Sequence, residues 1–90
     1  STDAEDDPRY RFQGHVARVV VPITVTKDSP GRIVLEFDGK RYEFGAQWSP
    51  EADLADGQLA TAPVDSEVVI EFVDGDMAFV EPWVVVEKRL

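Results

Sequence analysis

The sequence predicts an all-β fold: a small five-stranded barrel with one short helical turn between strands three and four. Three observations carry that prediction. Apolar and polar residues alternate with period two in several runs, most clearly in Lys40–Trp48, where Tyr42, Phe44, Ala46 and Trp48 share a face opposite Arg41, Glu43, Gly45 and Gln47. Gly-containing turn signals, Asp38-Gly39 and Asp74-Gly75-Asp76, separate such runs as they do in β-hairpins. And 90 residues suffice for one domain with a small core.

The elements follow in order. Residues 1–9 are polar and acidic and read as a disordered linker or chain end. The ordered domain is expected over 10–87, with 88–90 as a charged tail. A first long strand is predicted over Tyr10–Val25, bent at Gly14, with Pro22 at an edge or bulge because it cannot donate to a ladder. Pro30-Gly31 closes a loop. Arg32–Phe37 forms a second strand with Ile33, Leu35 and Phe37 on one face, and Asp38-Gly39 turns the chain into the third. Ser49-Pro50-Glu51 has the pattern of an N-cap, a proline at the first helical position and an acid in the first turn. Gly57 stops that helical turn, and a short strand is expected within Gln58–Val64. The last third, Glu67–Val86, reads as two apolar strands around Asp74-Gly75-Asp76, with Val68, Ile70 and Phe72 on one face and Met77, Phe79 and Glu81 together after the turn. Five strands, with the helical element between the third and fourth, follow the order of a small OB-like barrel. A five-stranded SH3-like sheet is the runner-up.

Composition narrows the function. A net charge of −9 and a pI near 4.3 argue against a phosphate backbone as partner. They argue equally against docking on an anionic membrane surface. Acidity of this kind keeps a small domain soluble and monomeric. There is no cysteine, so disulfides and thiolate metal sites are excluded. No apolar run reaches the roughly 18 residues of a membrane-spanning helix.

The search for chemistry finds no catalytic constellation, cofactor motif or metal motif. His15 is the single histidine, and no elbow motif marks Ser29, Ser49 or Ser66 as a nucleophile. The strand acids Glu36, Glu43, Glu71 and Glu81 are expected to face solvent, not a sugar-sized cleft. Glu81 is the exception: alternation places it with Met77 and Phe79, so either Pro82 breaks the register or Glu81 is paired, with Arg18 or Arg41 as partner. Asp74-Gly75-Asp76 lacks the spacing of a calcium loop. Aromatics on such a barrel can stack bases, which leaves a binder of single-stranded nucleic acid or oligosaccharide as the alternative function, but they are not interleaved with Lys and Arg here. Trp48 and Trp83 end their strands and are the expected protein-contact residues, tryptophan being enriched at interface hot spots.

A set of short motifs adds a family resemblance. Gly14-x-Val16 enters the first strand and Val21-Pro22 closes it. Gly31-x-Ile33 opens the second, and Gly39-x-Arg41 begins a hairpin arm running to Ala46. Leu54-x-x-Gly57, a Val-rich hairpin and Val80-Glu81-Pro82 follow. In this order and spacing, over most of the chain, they resemble the C-terminal soluble OB-fold domain of NfeD-like proteins. The departures are Trp83 followed by three valines and a charged tail, and Gln58-Leu59-Ala60 where the family passes directly from its glycine into a Val-rich strand. The resemblance implies the soluble part of a bacterial membrane protein, at the cytoplasmic face, whose spanning helices are missing from this chain. It implies a flotillin- or stomatin-like membrane scaffold as partner. Some long family members carry a separate serine protease domain, which this chain does not resemble, so the resemblance implies no catalytic residues.

Overall fold

The computed structural model describes residues 7–26, 28–52 and 61–90. Five strands close a barrel: β1 (Val16–Val21), β2 (Gly31–Phe37), β3 (Lys40–Trp48), β4 (Glu67–Asp74) and β5 (Met77–Pro82). A helix, α1 (Trp83–Arg89), follows. Around the barrel the order is β1-β2-β3-β5-β4, with β1 and β4 completing the ring. All neighbours are antiparallel except β3 and β5, which run parallel. This is the small, all-β OB-like barrel that the sequence predicts.

Hairpin chemistry sets two of the joints. Asp38 (φ 54°) and Gly39 (φ 76°) both adopt positive φ, as a type I′ turn requires, and β2 pairs with β3 without a slip from Phe37↔Lys40 to Gly31↔Ala46. At the β4–β5 joint, Gly75 supplies the positive φ (64°) at the first loop position. The inward faces then fill the barrel. Val19, Ile33, Val68, Ile70, Ala46, Ala78 and Val80 are fully buried there, with Ile23 from the segment after β1. Each large aliphatic side chain so buried stabilises the fold by about 1.5–3 kcal/mol.

The start of the chain differs from the expected long strand. Tyr10–Gly14 is not extended. Pro8–Tyr10 forms a 3-10 turn, Asp7 accepts the Arg9 N–H at its N-cap, and further turns bring the chain to His15. Pro8 presets the backbone angle for such a turn and Asp7 caps it, so ordered structure begins before Tyr10 and takes in residues 8 and 9 of the expected linker. Residues 1–6 lie outside the described residues. The turn serves the core: Phe12 is buried against Phe37, Tyr42 and Phe44, with ring centroids 4.9–5.5 Å apart. Arg11 stacks on the same cluster and donates to the Tyr42 hydroxyl. Gly14, at φ 84°, makes the bend into β1 and donates its N–H to the Ile70 carbonyl.

β1 ends at Val21, with a register shift between Val19 and Val21, so the predicted continuation to Val25 does not form. Pro22 cannot extend the ladder, and Ile23 instead forms a single bridge with Ala62, within the short strand expected in Gln58–Val64, whose residues 58–60 lie outside the described residues. After β3, the Ser49 hydroxyl accepts the Glu51 N–H and the Ala52 N–H reaches the Ser49 carbonyl, as the N-cap pattern predicts. The remainder of the expected helical turn falls in 53–60, outside the described residues.

The last third carries two further corrections. β4 has a bulge between Ile70 and Phe72, so its alternation flips there. Val73 joins the core, and Phe72 stacks on Phe79 at 4.6 Å on the other face. Trp83–Val86 is not a strand continuation, and Lys88 and Arg89 of the expected charged tail belong to a helix. The chain turns at Pro82 (φ −61°, ψ 133°) into α1. Three successive valines disfavour a helix locally. Tertiary contacts outweigh that preference: Lys88 and Arg89 occupy the last turn, where the helix dipole favours cations, and Arg89 is anchored to β5.

Candidate interaction surface

The parallel pairing of β3 and β5 decides where the two tryptophans meet. Trp48 is the last residue of β3 and stands opposite Val80. Because the strands run the same way, both end at the same side of the barrel, and Trp83 opens α1 just beyond β5. Trp48 and Trp83, both half-buried, line one hollow of about 200 Å³ with Ala62, Pro63, Pro82 and Val84. Glu67 is the single charged residue in its lining among the described residues. The sequence identifies the two tryptophans separately; the fold brings them together. Pro63, Ala62 and Val84 carry no local signal, since they enter the hollow through the long-range Ile23↔Ala62 bridge and the unforeseen helix.

A polar cluster supports this side of the barrel. Glu81 is 5% exposed on the outer face of β5. It is paired, as alternation requires, but its partner is Arg89 and not Arg18 or Arg41: Nη2 of Arg89 donates to Oε1 at 2.9 Å and Nη1 to Oε2 at 3.2 Å. Such a fork-to-fork pair fixes orientation as well as contributing energy. Arg18 pairs with Asp65 and Arg41 with Glu43, all well exposed. Glu71 sits at the β4 bulge, where the buried Ser49 donates its hydroxyl to Oε2 at 2.5 Å. Burial pushes the Glu71 carboxyl above its usual range, and the Ser49 hydrogen bond opposes that. The hydrogen bond and charge of Glu81 and the charge of Glu51 push it further up. Among the described residues no buried side-chain polar atom lacks a partner.

The other sequence candidates fall into structural places. His15 packs edge-on against Phe37 at 4.9 Å. Ser66 donates its hydroxyl to the Pro63 carbonyl, tying the loop that borders the hollow. Asp74 and Asp76 are exposed around the hairpin turn. Among the described residues no group of three or more His, Cys, Asp or Glu converges as a metal site.

No protein-family model matches the chain, and no curated protein matches it significantly. Solved structures do. The soluble domain of the NfeD protein YuaF from Bacillus subtilis superposes with a TM-score of 0.59 at 21% identity, covering 88% of this chain and 86% of that one. The C-terminal domain of stomatin operon partner protein 1510-C from Pyrococcus horikoshii superposes with a TM-score of 0.49 at 13% identity, covering 84% of this chain and 94% of that one. The chain has the fold of an NfeD soluble domain.

Proposed function

We propose that this domain is a non-enzymatic protein-interaction module, the soluble part of a membrane-anchored NfeD-like protein that associates with a flotillin- or stomatin-like scaffold. The observation that carries the reading is the apolar hollow flanked by Trp48 and Trp83. Half-buried tryptophans beside a concave apolar surface are the usual anchors of a protein interface. The motif series from Gly14 to Pro82 and the shared NfeD fold support the family assignment. Two side chains of nucleophile or base type have structural contacts: Ser49 donates to Glu71, and the His15 ring packs on Phe37. No helix among the described residues is long and apolar enough to cross a membrane, so the anchor belongs to other segments of the parent protein. The domain sits at the cytoplasmic face of a bacterial membrane, and its charge of −9 keeps it monomeric when isolated.

The test is an affinity pull-down with this domain as bait from membranes solubilised in mild detergent. Recovery of a flotillin- or stomatin-like protein, lost in folded Trp48→Ala or Trp83→Ala variants, is the expected result. Failure to enrich any such scaffold refutes the reading.

A further inference from the structure

We infer that the hollow between Trp48 and Trp83 receives a short basic segment of a partner protein, which inserts one large apolar side chain with Lys or Arg close beside it. The inference rests on the interaction reading and names the chemistry of the partner.

Size comes first. About 200 Å³ lies below the roughly 300–1,000 Å³ of small-molecule and cofactor pockets, and it suits one side chain better than a free ligand. The walls are two indoles, two prolines, Ala62, Val68 and Val84, with Thr61 and Ser66 as the uncharged polar members. Such a surface gains by burying apolar area.

The second step concerns how a partner is held. Strand addition needs a row of unpaired backbone donors and acceptors. Here β5 is paired on both sides through Val80, and Pro63 and Pro82 have no N–H to offer. Recognition therefore falls to side chains seated in the hollow.

Charge selects the occupant. Among the described residues, Glu67 is the one charged member of the lining, and no Lys or Arg lines the hollow. The whole chain carries −9. A second copy would bring the same charge, and an anionic lipid surface would be repelled. A basic segment is attracted, and its association rate should fall with salt.

The test selects random phage-displayed peptides on the immobilised full chain at low salt. Enriched peptides are then measured as synthetic fluorescent probes against the parent, Trp83→Ala and Glu67→Lys. Enrichment of peptides that combine Trp, Phe, Leu or Met with Lys or Arg is expected. Their affinity should fall roughly tenfold or more in Trp83→Ala, the usual scale for an interface anchor. It should also fall in Glu67→Lys and with rising NaCl, while circular dichroism shows both variants folded. Glu67 is exposed, so its replacement keeps the test open if Trp83→Ala unfolds. Enrichment of acidic or uncharged peptides overturns the inference, as does enrichment of nothing or binding unchanged in Glu67→Lys. Self-association in analytical ultracentrifugation that Trp83→Ala abolishes also overturns it, in favour of a second copy. So does Trp83-dependent binding to phosphatidylglycerol vesicles, in favour of a lipid surface. If a scaffold protein is recovered in the pull-down equally by the parent, Trp83→Ala and Glu67→Lys, the interaction module stands and this surface falls.

Discussion

Replacing Arg89 with Met tests whether α1 is held to the barrel by its ion pair with Glu81. Met keeps most of the apolar stem and removes the guanidinium. Two limits bracket the cost: an exposed pair is worth about 0–1 kcal/mol, and removing one partner of a buried pair costs about 3–5 kcal/mol. The Glu81 side chain is 7% exposed and the Arg89 side chain 50%, so the pair is buried at one end only. Water can approach from the Arg89 side and recover part of the lost interaction. An intermediate cost of about 2 kcal/mol follows. For a domain of this size that lowers the melting temperature by roughly 8–16 °C. The assay is a thermal melt at pH 7, followed by near-ultraviolet circular dichroism of the two tryptophans. The same substitution in a Glu81→Gln background should cost far less, because the charge that Arg89 compensates is gone. A melting temperature within about 2 °C of the parent, or an equal loss in both backgrounds, would refute the role given to the pair.

Two further substitutions test the structure elsewhere. Glu71→Gln should stabilise the protein at neutral pH. The folded-state carboxyl is raised above its ordinary value of 4.5, so stability falls as pH rises from there through the folded value, and the cost is fully present above it. Gln keeps an acceptor for Ser49 and adds a donor toward Glu81, so urea midpoints should exceed the parent's at pH 7 and match them near pH 3; a lower midpoint at pH 7 would contradict the sign. Gly31→Ala places a Cβ 2.6 Å from the carbonyl oxygens of Val21 and Pro22 and 2.7 Å from Ile23 Cγ1. Backbone cannot yield as a side chain can, so a loss of about 3 kcal/mol is expected by chemical denaturation, at the upper end for overpacking. Gly45→Ala is the control, since its new Cβ meets the flexible end of Met77 at 3.1 Å and should cost much less.

What was legible in the sequence is what local chemistry decides. The β2–β3 hairpin reads directly because Asp38-Gly39 can take two positive φ angles and the flanking residues alternate without interruption. The bulge in β4 is invisible because Val69-Ile70-Glu71-Phe72-Val73 alternates plausibly in either register; only the pairing of Phe72 with Phe79 shows the flip. The helix at Trp83 is hidden for the opposite reason. Its valines prefer strands, and what holds it is an arginine contacting a glutamate eight residues upstream. Alternation groups Glu81 with Met77 and Phe79, but that is the outer face of β5, opposite the core residues Ala78 and Val80; its partner Arg89 comes from a helix where the sequence reads a charged tail. Trp48 and Trp83 could be singled out by residue type, yet their meeting depends on the parallel β3–β5 pair, which no hairpin signal encodes.

The polar cluster and the hollow are mechanically one feature. Ser49 directly follows Trp48, and its hydroxyl grips Glu71 at the β4 bulge. Glu71 lies close enough to Glu81 for that neighbour to push its carboxyl up, and Glu81 is forked by Arg89 at the end of the helix that Trp83 begins. The two tryptophan-bearing segments are thus each joined to the cluster, Trp48 through the adjacent Ser49 and Trp83 through the helix that ends at Arg89. A half-buried carboxyl beside a buried one is a poor way to gain stability, since burial and the neighbouring charge both disfavour its ionised form. It does fix geometry, because hydrogen bonds specify angles that apolar contacts leave loose. The cost is repaid if the positions of the two indoles matter more than net stability. Pre-set anchors lose little freedom on binding. On this reasoning the cluster keeps the tryptophans in place before a partner arrives, and loosening it at Arg89 should weaken binding at the hollow even at temperatures where the barrel remains folded.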